Sequence, residues 1–495
     1  PYGFDWEDWG RLDALEALSV ELLTGGYDRT RVHLTGHSMG GHGAWHLGVT
    51  YPDRFATVAP SAGWRTFSTY GGGPTGDAGP VEVLLRRASS AGDVPSLAGN
   101  LATKGVYALH GDADDNVPVS ETQAMVERLK GVVADLHVHV RRGAGHWWDA
   151  DAEEPGTDCV DWAPMFDLMA RRRLPAREEV RAIDFTTASP GVSARCAWAV
   201  VECQRTMHIR SRVRLRFDPG RRRVTGTTEN VRTLVLDAGS YDRPATISLD
   251  GSPDVVTLGL ARGAAIRLTR GDGGWSLDGG SGEGWKGPER YGPFKEVFRH
   301  RFVFVVGTVG TPEENAWAAR KARLDAETWW YRANGSVDVL EDQEYLRDVD
   351  DFQRRNVVLY GHAEMNAAWA PLLGKAPVRV ARGVLRVGDH EEKGDDLACL
   401  FLHPRPETDG HLVGVVAGTG LPGLRLTDRL PYFTSGVAVP DLVVLSTSML
   451  TRGVEGLVGA GFFGPDWSVG SGEFAWRASP SVPPTDRPEE PAVPK

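Results

Sequence analysis

The sequence predicts a multidomain protein: a parallel α/β unit, then a small antiparallel β-sandwich, then a second mixed α/β unit. Three observations carry this reading. Helix and strand patterns alternate from residue 1 to about 175. Short alternating strands with Asp-Pro-Gly and Asp-Gly turns replace them from about 179 to 285. Strand, glycine turn and long helix return from about 290 to 476. A chain of 495 residues exceeds one ordinary core and agrees with two to four domains. The expected boundaries are 1–178, 179–288 and 289–476, with a tail at 477–495.

The elements follow in order. "WEDWGRLDALEALSVELL" (Trp6 to Leu23) spaces its apolar residues by three and four, as a helix does. Strands are expected at Arg31–Leu34, Phe55–Ala59, Val106–Leu109 and Leu136–Val140. Helices are expected at Gly40–Tyr51, Val81–Ser89 and Ser120–Leu129, the last opened by a capping box of Ser120 with Gln123. In the second unit, "SRVRLRFDPGRRRVTGTTENVRTLVLD" and "PATISLDGSPDVVTLGL" read as hairpin strands. In the third, "HRFVFVVGTVGTPEENAWAARKARLDAETWW" and "RRNVVLYGHAEMNAAWAPLLG" are two strand-turn-helix runs. They share a short echo, Glu314-Asn315-Ala316-Trp317 against Glu364-Met365-Asn366-Ala367-Ala368-Trp369. The Pro- and Glu-rich end, "SPSVPPTDRPEEPAVPK", reads as disordered.

Composition narrows the function classes. Hydrophobic residues at 41% and charged residues at 24% describe a globular protein, and the net charge of −11 argues against nucleic acid as a partner. The longest apolar runs, such as Phe302 to Val306, are far too short to span a bilayer. Four cysteines without a CxxC pair give no disulfide scaffold or zinc site and leave the compartment open, periplasmic or secreted as much as cytoplasmic. The chain begins with Pro1 and shows no signal peptide, so it reads as a piece of something longer.

The chemistry concentrates in "RVHLTGHSMGGHGAW". Gly36-His37-Ser38-Met39-Gly40 fits G-x-S-x-G at a strand-to-helix junction, where a serine on a tight, strained turn is presented to a substrate. The backbone N–H of Met39 can donate to an oxyanion there. The bland alternative is a tight turn in a non-catalytic α/β unit. A nucleophilic serine needs a base, and the base an orienting acid. Downstream, "VYALHGDADDNVPVSET" offers Asp112, Asp114 and Asp115 after a strand, and "LHVHVRRGAGHWW" offers His146 on a Gly-Ala-Gly loop after another. Parallel sheets keep their functional groups in such loops. His137 and His139 lie within the strand and are expected to face core or helix. His37, His42 and His46 flank the serine, where helix packing or pocket lining outweighs catalysis. Trp147 and Trp148 have two even readings, an aromatic wall for a substrate or packing of the loop, and Trp64, which closes "APSAGW" near the same sheet edge, is a further pocket candidate.

"GHSMGG", "HGDADDNVPVSET" and "GAGHWW", in that order, resemble the catalytic domain of prolyl-oligopeptidase-type serine peptidases within the α/β-hydrolase fold. The "YGFDWEDWGR" opening also resembles the segment leading to the nucleophile strand, so the resemblance covers about residues 1 to 175. It implies Ser38 as nucleophile, Asp114 as acid and His146 as base, with no metal or cofactor. It further implies that strands and one oxyanion donor normally precede Trp6, so that the 495 residues alone are expected to be an incompetent enzyme. The expected function is a serine hydrolase, foremost a peptidase. One rival is a carboxylesterase for acylated polysaccharide or small esters, with the sandwich as a carbohydrate-binding module. The other is a non-catalytic interaction protein on a hydrolase fold.

In the third unit, Gly307 to Gly310 precedes a helix and could seat a phosphate, although the full G-x-G-x-x-G is absent. His362 and Glu364 are two metal-type ligands without a third. Asn334-Gly335-Ser336 is a glycosylation sequon, and Arg171 to Arg173 reads as a solvated helix end.

Overall fold

The computed structural model describes residues 4–72, 78–150, 157–237, 244–257, 265–278 and 284–477. The expected tail lies outside them except for Arg477.

The first unit is built on four parallel strands in sequential order: β1 (His33–His37), β2 (Thr57–Ser61), β3 (Gly105–Gly111) and β4 (Asp135–Arg141). Each differs from its expected range by only a few residues. Helix α1 (Asp8–Thr24) precedes β1, α2 (Met39–Thr50) links β1 to β2, and α3 (Pro80–Ala88) lies in the long connection to β3. Helix α4 (Ser120–Leu129) links β3 to β4, and α5 (Ala163–Arg171) follows. The burial of every residue of β2 and β3 is what a sheet covered on both faces requires.

The capping box expected at Ser120 does not form. Val119 is the N-cap and no side chain caps the helix. The turn before it supplies acceptors instead, Pro118 O to the Glu121 N–H (2.9 Å) and Val119 O to that of Gln123 (3.0 Å).

Two five-stranded sheets from Ala182 to Leu277 face each other across one apolar core containing Phe185, Trp198, Leu215 and Leu234. One pair departs from the antiparallel expectation: Thr246–Leu249 runs parallel to Arg223–Glu229. The chain passes through the opposite sheet (Val231–Leu236) between them, so it re-enters in the same direction.

The third unit holds an eight-stranded mixed sheet. Four parallel strands come first, in spatial order β6 (Asp338–Glu341), β5 (Phe302–Val306), β7 (Asn356–Tyr360) and β9 (Leu412–Gly418). Antiparallel β8 (Ala398–Pro404), β10 (Leu442–Leu445), β11 (Leu457–Phe462) and β12 (Glu473–Trp476) complete it. Helix α6 (Pro312–Ala333) joins β5 to β6, and its start carries a capping box, Thr311 with Glu314.

This sheet shares its core with the first unit. Trp9 of α1 donates from Nε1 to Phe298 O (2.9 Å) and packs edge-on against Phe4 and Trp329. Val81, Leu84 and Ala88 of α3 join the same cluster. The ion pairs Asp8–Lys295, Glu473–Arg87 and Glu82–Arg477 bind the seam. Helix α1 is thus buried at its start, where the third unit covers it, and exposed at its end, where Val20 and Leu23 face solvent.

Candidate active site

The turn after β1 is where the sequence meets backbone strain. Ser38 sits at φ 58°, ψ −115°, a region that L-residues avoid. Such a cost persists only where the surroundings fix it. Here the Ser38 N–H is held by Ser61 O (2.9 Å) on β2, and Ser38 O accepts from the His42 N–H (3.0 Å) in α2. The close approach that requires glycine is at Gly36, whose Cβ would lie 2.3 Å from Gly40 O. On the helix side it is Gly41, not Gly40, that is forced, because its Cβ would meet Ser61 O at 2.3 Å. Met39 is the first residue of α2, so its N–H has no acceptor within the helix.

The two downstream loops meet at the same sheet edge. His146 Nδ1 lies 2.8 Å from Asp114 Oδ2. The carboxylate accepts there, which places the proton on Nδ1 and leaves Nε2 as the basic nitrogen. Asp114 Oδ1 accepts from the N–H groups of Asn116 and Val117, both at 2.9 Å. Burial raises the Asp114 pKa, but the hydrogen bonds from His146, Val117 and Asn116 outweigh it and hold the carboxyl below its usual range. The other two aspartates do not reach His146. Asp112 Oδ1 instead accepts from the Gly143 N–H (2.5 Å), tying the two loops together, and Asp115 is exposed.

His37 precedes the serine in sequence, and its ring lies beside the base. Its ring is 4.7 Å from that of His146 and 4.1 Å from that of Trp147, and its Nδ1 is 3.0 Å from Ser61 Oγ. Burial, with the neighbouring His146, lowers its pKa to about 4, so it is neutral at neutral pH. Among the described residues the Ser38 hydroxyl has no side-chain hydrogen bond. Such contacts are often loose in unliganded sites and tighten on substrate binding.

The tryptophans separate. Trp147 is 62% exposed and lies on His37 at the mouth of the site. Trp148 is buried and packs against Trp162 and His139. Trp64 is buried in a stack between His42 and Tyr70, which is itself partly exposed. His137 and His139 stack on Tyr107 and Trp162.

Sequence reasoning passed over His110. Its Nε2 donates to Val117 O (2.9 Å) and stands 3.3 Å from Asp114 Oδ2, while Nδ1 meets Thr122 Oγ1 (2.8 Å). It pins the turn that carries the acid. The signal was its place, two residues before the aspartate run at the end of a buried strand.

In the third unit, the N–H groups after β5 are met by the chain's own side chains. Thr308 donates to Asp342, Gly310 to Asn315 and Thr311 to Glu314. The Glu314 carboxylate takes the place a phosphate would need, and Arg382 and His362 bind it. The Glu364 carboxylate turns to Arg382, while its N–H donates to His362 Nδ1 (3.2 Å). Among the described residues no group of three or more His, Cys, Asp or Glu could hold a metal, and no helix is long and apolar enough to cross a membrane.

Residues 3–158 match the model of the prolyl oligopeptidase family. With the parallel sheet and the strained serine turn, this places that segment in the α/β-hydrolase fold and agrees with the resemblance read from its motifs. An uncharacterized secreted protein of Arthroderma benhamiae is 24% identical over 509 residues, an alignment covering 95% of this chain and 51% of that protein. The chain therefore spans about half the length of the curated relative it matches. Solved structures similar to parts of the chain include a thermostable esterase (18% identity, 34% of this chain and 37% of that one, TM-score 0.24). Esterase PE8 is 23% identical over 31% of this chain and 56% of its own, with a TM-score of 0.22. A chain described as a dipeptidyl aminopeptidase IV of Bacteroides ovatus is 16% identical over 32% of this chain and 22% of its own, with a TM-score of 0.27.

Proposed function

We propose that the protein is a serine hydrolase that cleaves peptide or amide bonds through an acyl-enzyme. The observation that carries this is the 2.8 Å contact of His146 with Asp114, beside a serine held at φ 58°. Ser38 Oγ attacks the carbonyl carbon while His146 Nε2 takes its proton. The carbonyl oxygen becomes an oxyanion facing the Met39 N–H. His146 then returns the proton to the leaving amine, and water repeats the sequence on the acyl-enzyme. Asp114 keeps the imidazole in the required tautomer and stabilises its charged form. Neutral His37 adds no positive charge next to the base, which would otherwise weaken it.

The test is hydrolysis by the full gene product of p-nitrophenyl esters and of chromogenic peptide amides. Turnover of both, lost in Ser38→Ala, supports a peptidase. Turnover of esters with no amide cleaved moves the assignment to a carboxylesterase.

A further inference from the structure

A cavity lies between the first unit and the sandwich, at the end of the sheet opposite Ser38. Its volume is about 600 Å³, within the range of small-molecule sites, and it lies at an interface between units, where such sites concentrate. Lys104 lines it, immediately before β3, while Asp114 follows that strand. Seven strand residues separate the two positions by roughly 20 Å, so this cavity is not part of the serine site.

Lys104 is only 6% exposed. Among the described residues its ammonium has no hydrogen bond and no ion pair. Its apolar stem is buried while the ammonium itself opens onto the cavity, where an anion can reach it. The carboxylates on the cavity wall have hydrogen-bond partners of their own, and of them Asp53 also lies within electrostatic reach of Lys104. Asp53 accepts from the Ala197 N–H (2.9 Å), and Glu179 from that of Ala176 (2.9 Å). Both oxygens of Asp184 are taken by Arg212 at 2.7 Å. Arg177 and Arg195 stand at the same cavity and share Asp237, which leaves its surroundings cationic. Leu174, Val180 and Ile183 supply apolar wall.

We propose that this cavity binds an organic carboxylate with an apolar body, its carboxylate paired to the Lys104 ammonium. Burial lowers the pKa of Lys104, with Cys196 and Asp53 opposing that shift, and a bound anion would add to the opposition.

The test is calorimetric titration of the chain with decanoate and with decanol. One decanoate should bind per chain, and decanol at least about tenfold more weakly, as expected for loss of a charge-assisted contact. Lys104→Met should weaken decanoate about tenfold or more, while Lys104→Arg should stay within a few-fold of the parent. No saturable decanoate binding, equal affinity for the alcohol, or undiminished binding in Lys104→Met would overturn the proposal. If Lys104→Met does not fold, the acid-against-alcohol comparison on the unaltered chain decides alone.

Discussion

His146 donates through Nδ1 to Asp114 Oδ2 across 2.8 Å, although the two residues lie 32 apart in sequence and on different loops. The contact exists because β3 and β4 are parallel neighbours, so both loops leave the sheet at one edge. It also separates three aspartates that sequence alone offers as equals. Asp114→Asn should lower kcat by about a thousandfold or more, because the amide no longer selects the correct imidazole tautomer. Asp112→Asn keeps an oxygen for the Gly143 N–H and should stay within a few-fold, as should Asp115→Asn at its exposed position. Steady-state kinetics on one ester substrate checks all three, and equal losses would make the loop structural rather than catalytic.

Strain at Ser38 has its own signature. Alanine at φ 58° keeps the penalty, whereas glycine is free of it. Both Ser38→Ala and Ser38→Gly should be inactive, yet the glycine variant should be more stable than the alanine one by about 1 kcal/mol. Urea midpoints of the two variants measure the difference.

Acid sensitivity follows from His46, fully buried in α2, where burial lowers its pKa from 6.5 to about 4. The unfolded chain binds this proton more readily than the folded one between those values. Stability is therefore complete above about pH 6.5 and falls as pH drops toward 4, by about 3 kcal/mol for this group. His46→Leu should flatten that part of the stability-pH curve, read from urea midpoints at successive pH values. An unchanged slope would assign the acid lability to other groups.

The adjacent tryptophans should part in their effects. Trp147→Ala, at an exposed ring on His37, should raise KM with little change in Tm. Trp148→Ala empties a packed position against Trp162 and should cost about 3 kcal/mol of stability or more. Thermal melts and KM values on the same preparations distinguish them.

The local patterns were legible in the sequence because they obey local rules. The parallel strands, α2 and the Ser38 turn follow from hydrophobic period and small-residue spacing. What was not legible depends on distant partners. The Ser120 and Gln123 spacing suggested a capping box, but the turn at Pro118 reached the N–H groups first. Trp147 and Trp148 are identical in sequence terms, and only the position of Trp162, Trp148's neighbour in space, separates them. The sandwich looked wholly antiparallel because a crossover through the opposite sheet leaves no mark in alternation. The burial of Trp9 depends on Phe298, which is 289 residues away. His362 and Glu364 suggested a metal pair by adjacency, whereas Glu314 and Arg382, from other segments, take them up.

The most direct test of the central claim is reaction of the full gene product with a fluorophosphonate probe, followed by peptide mapping. The account predicts one label, on Ser38, absent from Ser38→Ala and slowed by about a thousandfold or more in His146→Ala. A folded full-length protein that takes no label, or one labelled equally well after Ser38→Ala, would contradict it.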